Sequence, residues 1–272
     1  MKRNTYFAAA VIALAVAACG GKGDKKLSDA SEYSSYERLD GDRSVYGLMC
    51  EGGSDSVLYL LPPDGSNPVK YNIIKAHRTN RILGSPEIGD RIAIVPNAYR
   101  KNVADMVIDI ESLKGTWCYI AMPKLRDRNR MPKAMQDDFY GADADSLRSL
   151  YLVPRQQGFT LRRRNKANAV GWVHLSPEEQ NGSPVTYPPV PFYTKWYMLN
   201  GKIVLAHSDH FPLTAEEDKD KNKTKAPEKL INDTAEIVML EKDTLVLKFG
   251  DRTQGYFRAK ETDSGSRTNK KK

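Results

Sequence analysis

Lys195-Trp196-Tyr197-Met198-Leu199-Asn200-Gly201-Lys202-Ile203-Val204-Leu205 joins two apolar runs through an Asn-Gly step. A two-residue type I′ turn needs positive φ at both central positions, and Asn-Gly supplies them at low steric cost. The stretch therefore reads as a β-hairpin. Working outward, Ala235 to Leu240 and Thr244 to Phe249 form a second hairpin across Glu241-Lys242-Asp243, and Gly255 to Ala259 is a last strand. Upstream, Gly158 to Leu161 and Ala169 to Leu175 carry further strand signals. Residues 212–230 are charged and read as a mobile loop. Tyr187-Pro188-Pro189-Val190-Pro191 is a stiff, extended approach to the first hairpin.

The same β pattern fills residues 41–111. Ser44 to Met49, Val57 to Leu61, Val69 to Ile73, Arg81 to Gly84, Ile92 to Val95 and Met106 to Ile110 are short runs. Pro62-Pro63-Asp64-Gly65 and Gly89-Asp90 separate them as turn signals. So many short strands in so short a span must close on themselves to hide their edges, and an OB-like or SH3-like barrel is expected. Residues 123–154 are irregular. Within them Pro132 to Leu150 could hold a helix, with Met135, Phe139, Leu147 and Leu150 on its apolar side.

Residues 112–260 resemble a lipocalin-like domain of bacterial envelope lipoproteins. Gly115-x-Trp117 matches the Gly-x-Trp of the first barrel strand, and Phe257-Arg258 matches a last strand whose arginine covers the tryptophan face. The resemblance implies an up-and-down β-barrel with Gly115, Trp117 and Arg258 at its floor and a cavity for a small ligand. The segment after Trp117 is longer than the family's first loop, and a Thr-Asp-Tyr type turn is missing. A closed barrel or sandwich with Trp117 in its core is the other reading. The expected fold class is all-β: a small OB/SH3-like barrel followed by a lipocalin-like barrel.

The N-terminus carries a third pattern. Lys2 and Arg3 precede an apolar run from Tyr6 to Val16, and Val16-Ala17-Ala18 then stands before Cys19. Positive end, apolar stretch and small residues are the parts of a signal peptide. The run is shorter than the ~20 residues a spanning helix needs. The cysteine resembles that of a bacterial lipobox. The resemblance implies cleavage before Cys19, acylation of its thiol and amine by chains such as palmitate, and a membrane anchor. Gly20 in place of an aspartate implies an outer-membrane destination. The expected order is a signal peptide at 1–18, a lipidated flexible tether at 19–40, the two barrels, and a basic tail at 261–272.

The net charge is +8. Export and the location of charge in terminal and loop runs argue against a nucleic-acid partner and leave anionic lipid headgroups as the use for it. Cys50 and Cys118 would be the cysteines left after lipidation. An oxidising compartment permits a disulfide between them, and two buried thiols are the other reading. His207-Ser208-Asp209-His210 offers two imidazoles, but residues three apart on a strand face opposite ways, so no metal is expected. Catalytic motifs are missing from the sequence, so neither enzyme activity nor a cofactor is expected. Strand alternation sets Tyr193, Lys195 and Tyr197 on one face and Trp196 and Met198 on the other. Tyr193, Trp196 and Tyr197 are the candidate ligand-lining residues. The expected function is non-catalytic binding of a small apolar or amphipathic ligand in the second barrel. The alternative is a structural or interaction protein that docks an envelope complex or a polysaccharide with both barrels filled.

Overall fold

A computed structural model describes residues 37–131, 133–140, 144–171, 183–208 and 230–259. Expectations for the leader, Cys19, most of the tether, the charged loop, the basic tail and the Asp209-His210 end of the histidine stretch lie outside these residues. The fold is mainly all-β.

The first sheet comprises β1 (Val45–Met49), β2 (Val57–Leu61), β3 (Val69–Asn72), β4 (Ile82–Leu83), β5 (Arg91–Pro96) and β6 (Ala104–Asp109), in the order β3-β2-β1-β5-β6-β4. The pairs are antiparallel except β4 with β6. A parallel bridge from Asn72 to Val103 brings β3 round to the start of β6, so the sheet curls back on itself. Helix α1 (Ile74–Arg78) follows the third strand and buries Ala76. This arrangement is the OB-like form of the expected small barrel.

Period-2 alternation divides the central strands between two cores. Ile92 and Ile94 of β5 and Val107 of β6 enter the small barrel's core with Leu58, Leu60 and Tyr71. Ala93 of β5 and Ile108 of β6 face the other way and join a larger core. That is why Arg91 to Ile94 are all buried.

The short helix α2 (Ile110–Leu113) leads into the second sheet, with Asp109 accepting from the amides of Glu111 and Ser112 at its start. Strands β7 (Gly115–Ala121), β9 (Arg155–Leu161), β10 (Ala167–Val170), β12 (Phe192–Leu199), β13 (Lys202–Ser208), β14 (Leu230–Leu240), β15 (Thr244–Phe249) and β16 (Arg252–Arg258) follow in the chain. Each pairs antiparallel with its successor along the sheet, and β16 returns to β7. Strand β10 meets β12 at a Lys166–Lys195 bridge. There Trp196 N donates to Asn165 O, and Asn165 Nδ2 donates to Trp196 O, both at 2.8 Å. The eight strands are thus nearly closed into a barrel in up-and-down order.

The remaining elements lie between β7 and β12. A two-stranded ribbon pairs β8 (Lys124–Leu125) with β11 (Val185–Thr186). Helices α3 (Lys133–Tyr140) and α4 (Ala144–Tyr151) fall where the sequence suggested helix, as two pieces. Pairing registers put the connections β7–β9, β10–β12 and β13–β14 at one end of the barrel and the short turns β9–β10, β12–β13 and β14–β15 at the other.

Candidate binding site in the barrel

The floor forms at the short-turn end. Gly115 has φ +131°, and a β-carbon there would run into the Arg258 guanidinium. That freedom lets β7 start directly under the arginine. Trp117 is fully buried, and its Nε1 donates to Leu113 O at 2.8 Å. The Arg258 guanidinium lies 4.1 Å from the Trp117 ring. It donates to Ser112 O and Lys114 O, each at 2.7 Å, and to Lys242 O. Arginine, indole and helix end therefore close the barrel as one unit. Burial pulls the Arg258 pKa down, against the opposing charges of Asp243 and Asp109.

Above the floor the barrel is filled. Phe159, Leu161, Trp196, Ile203, Leu205, Leu245 and Leu247 are each 1% exposed or less. They form one cluster with Trp117 and, across the floor, with Leu83, Ala93 and Ile108 of the first sheet.

The same inward phase carries polar residues at the opposite end. Counting by two from Trp117 reaches Tyr119, from Phe159 reaches Gln157, from Leu205 reaches His207, from Ala235 reaches Asp233, and from Tyr256 reaches Gln254 and Arg252. The Tyr119 hydroxyl donates to Gln157 Oε1 at 3.1 Å. Gln157 is fully buried and its Nε2 has no hydrogen-bond partner. Phe159 meets Tyr193 and Tyr256 at 5.8 and 5.1 Å, and Tyr193 meets His207 edge-on at 6.1 Å. His207 Nε2 lies 3.5 Å from Asp233 Oδ2. Burial pushes the phenols of Tyr119, Tyr193 and Tyr256 up, although the positive charge of Arg252 opposes it at all three. They stay protonated and can donate. The mouth therefore presents donors from Gln157 Nε2, the Tyr193 and Tyr256 phenols and Arg252, while the Tyr119 hydroxyl is spent on Gln157 Oε1 and Asp233 lies beside His207.

Of the candidate lining residues, Tyr193 lies on the inner face at the mouth, and Trp196 lies at the β10–β12 seam with Nε1 donating to Arg162 O at 2.8 Å. Tyr197 packs outside with Val204 and Ala206, and its hydroxyl donates to Glu37 at 3.0 Å. Simple alternation placed Tyr193 with Tyr197. A register shift between Tyr193 and Lys195 puts Tyr193 in phase with Trp196 and Met198 instead. The disulfide does not form: Cys50 and Cys118 are both free. Cys50 directly follows β1 with Sγ 3.8 Å from Leu48 O, while Cys118 is buried in β7 of the other sheet, where burial pushes its thiol up.

Asp233, Gln157 and Arg252 were not singled out from the sequence, and His207 was weighed there only as half of a metal pair with His210. Their signal is polar character at an inward phase, in register with apolar residues two positions away. Among the described residues no three His, Cys, Asp or Glu side chains cluster as metal ligands. No described helix is long and apolar enough to cross a membrane. No family model, curated protein or solved structure matches the chain.

Proposed function

We propose that the chain is a non-catalytic, membrane-anchored lipoprotein that binds a small amphipathic molecule at the barrel mouth. The observation that carries this reading is the buried, unpartnered Gln157 amide, bonded through its oxygen to Tyr119 and in the same inward phase at the mouth as Tyr193, Tyr256 and Arg252. A buried donor without a partner costs about 1–3 kcal/mol, which a ligand acceptor would offset. The filled lower barrel leaves such a ligand shallow, its polar end on the donors. The anchor is Cys19, with an outer-membrane destination carried by Gly20. Native mass spectrometry of the chain from Gly21 onward tests the binding. A discrete added mass that is lost on denaturation, and lost in Gln157→Leu, supports it. An apo mass from cells and after incubation with a lipid extract rejects it.

The filled lower barrel also favours a second reading, in which the barrels are rigid platforms for an envelope partner. Ile120 near the end of β7 and Met122, Leu150 and Val153 on the segment after it are exposed, apolar groups of the kind that dock partners. Replacing Met122 and Leu150 by serine would then abolish co-purification of that partner and leave any bound small molecule in place.

A further inference from the structure

At the floor end, on the far side of the filled core from the mouth, the two sheets do not meet flush. A cleft of about 700 Å³ separates them. Its walls come from residues between 37 and 46, the Pro62-Pro63-Asp64 turn and Arg91 of the first sheet, Ile110 between the sheets, and Asn165, Trp196 and Met198 of the barrel seam. That volume falls within the ~300–1,000 Å³ of small-molecule sites.

The carboxylates of the cleft are already engaged. Glu37 pairs with Lys195 at 2.8 Å and accepts from Tyr197. Asp42 accepts from Tyr46 Oη at 2.6 Å, from Asn200 N at 3.0 Å and from Ser44 N at 3.1 Å. Asp64 accepts from Ser66 N at 2.9 Å. Arg43, by contrast, is exposed and is held by its backbone N–H to Asn200 Oδ1, leaving its guanidinium to the cleft. The Arg38 guanidinium is committed within the cleft wall: it donates to Ser44 O at 2.5 Å, lies 3.8 Å from Asp42 Oδ2 and stands 5.0 Å from the Tyr46 ring.

A buried amide oxygen also faces the cleft with nothing bonded to it. Asn165 is 5% exposed, and its Oδ1 has no hydrogen-bond partner. Its orientation is fixed, because Nδ2 is committed to Trp196 O. The cleft thus offers a fixed buried acceptor, the exposed Arg43 guanidinium, and apolar walls from Val45, Pro62, Pro63, Ile110 and Met198.

We infer that this cleft is a second binding site, for a small molecule that carries both an anionic group and a hydroxyl or amide N–H donor. The anion pairs with Arg43, and the donor satisfies Asn165 Oδ1. Neither group alone suffices: a bare anion leaves the amide oxygen unpaired, and a neutral polyol leaves Arg43 to water. The site does not depend on the proposed function of the mouth.

The test titrates the full-length chain in detergent micelles with glucose 6-phosphate, glucose and inorganic phosphate. The readout is the Trp196 indole N–H resonance, which reports on the cleft wall. Glucose 6-phosphate should shift it saturably, with each half-molecule binding at least about tenfold more weakly. Arg43→Ala should weaken glucose 6-phosphate by about tenfold. Asn165→Asp, which keeps a side chain tolerant of the local backbone but adds a repelling charge, should weaken it further. Arg252→Ala at the mouth should leave it unchanged. The inference is overturned if none of the three probes moves the resonance, if glucose or phosphate alone binds as well as the phosphosugar, or if Arg43→Ala and Asn165→Asp both bind like the parent chain.

Discussion

Arg258 makes three carbonyl contacts and covers the Trp117 ring, so its charge, planarity and length all matter. Arg258→Lys keeps the charge but cannot span Ser112 and Lys114 together. Urea unfolding should show a loss of about 2 kcal/mol. Gly115→Ala combines a left-handed backbone with a clash at Arg258 and should cost about 1–3 kcal/mol from the backbone strain alone. Both residues were legible from the sequence because a spacing of this kind survives any error in strand limits. The place of Tyr193 beside Trp196 was not, because a bulge leaves no mark on residue identity. Asp42 sets a pH dependence. Burial alone would raise its pKa, but the donors Asn200 N, Tyr46 Oη and Ser44 outweigh it and hold the carboxyl below its ordinary value. Stability from this group is therefore present above ~3.9 and is lost as pH falls through the lowered folded value. Acid titration of stability should be steeper for the parent chain than for Asp42→Asn, and equal slopes would remove Asp42 from the account.

The β12–β13 hairpin does more than its Asn-Gly turn announces. Asn200 takes φ +50° and Gly201 φ +84°, as the turn requires. The Asn200 side chain also accepts from Arg43 N at 2.9 Å and donates to Gly41 O at 3.1 Å. The turn thereby clasps residues 41–43 to the barrel wall. A β-carbon on Gly201 would approach Met106 Sδ of β6 to 2.8 Å, so the same turn abuts the first sheet. Asn200→Ala should remove both clasping bonds and favour a poorer turn, at about 2 kcal/mol. Limited proteolysis should then cut near residues 37–43 first, and an unchanged cleavage pattern would mean that the segment is held elsewhere. The hairpins were readable because turn chemistry and alternation agree there. The β8–β11 ribbon was not, since two-residue strands carry no period, and the start of β14 at Leu230 lay inside what composition marked as loop.

At the scale of the whole molecule, the alternation of β5 and β6 divides one strand pair between two cores. Neither barrel can lose its packing without uncovering the other. Calorimetry should therefore give a single transition whose van't Hoff and calorimetric enthalpies agree, and two resolved transitions would show that the barrels unfold apart. The separate patterns of residues 41–111 and 112–260 were legible. Their common core was not, because alternation shows that a strand has two faces but not what covers each. The polar mouth was hidden for a related reason: a polar residue at an inward phase looks like the end of a strand until the register of its neighbours is known.

The clasp of residues 37–43 also has a mechanical meaning. Its attachments are strung along β12 from the Glu37–Lys195 pair to the bonds at Asn200. Tension on the chain before residue 37 meets the exposed ion pair first and the Asn200 bonds last. The attachments yield one after another under a modest load, and each released residue adds up to about 3.5 Å of leash. The segment acts as a fuse, paying out slack before force reaches either sheet.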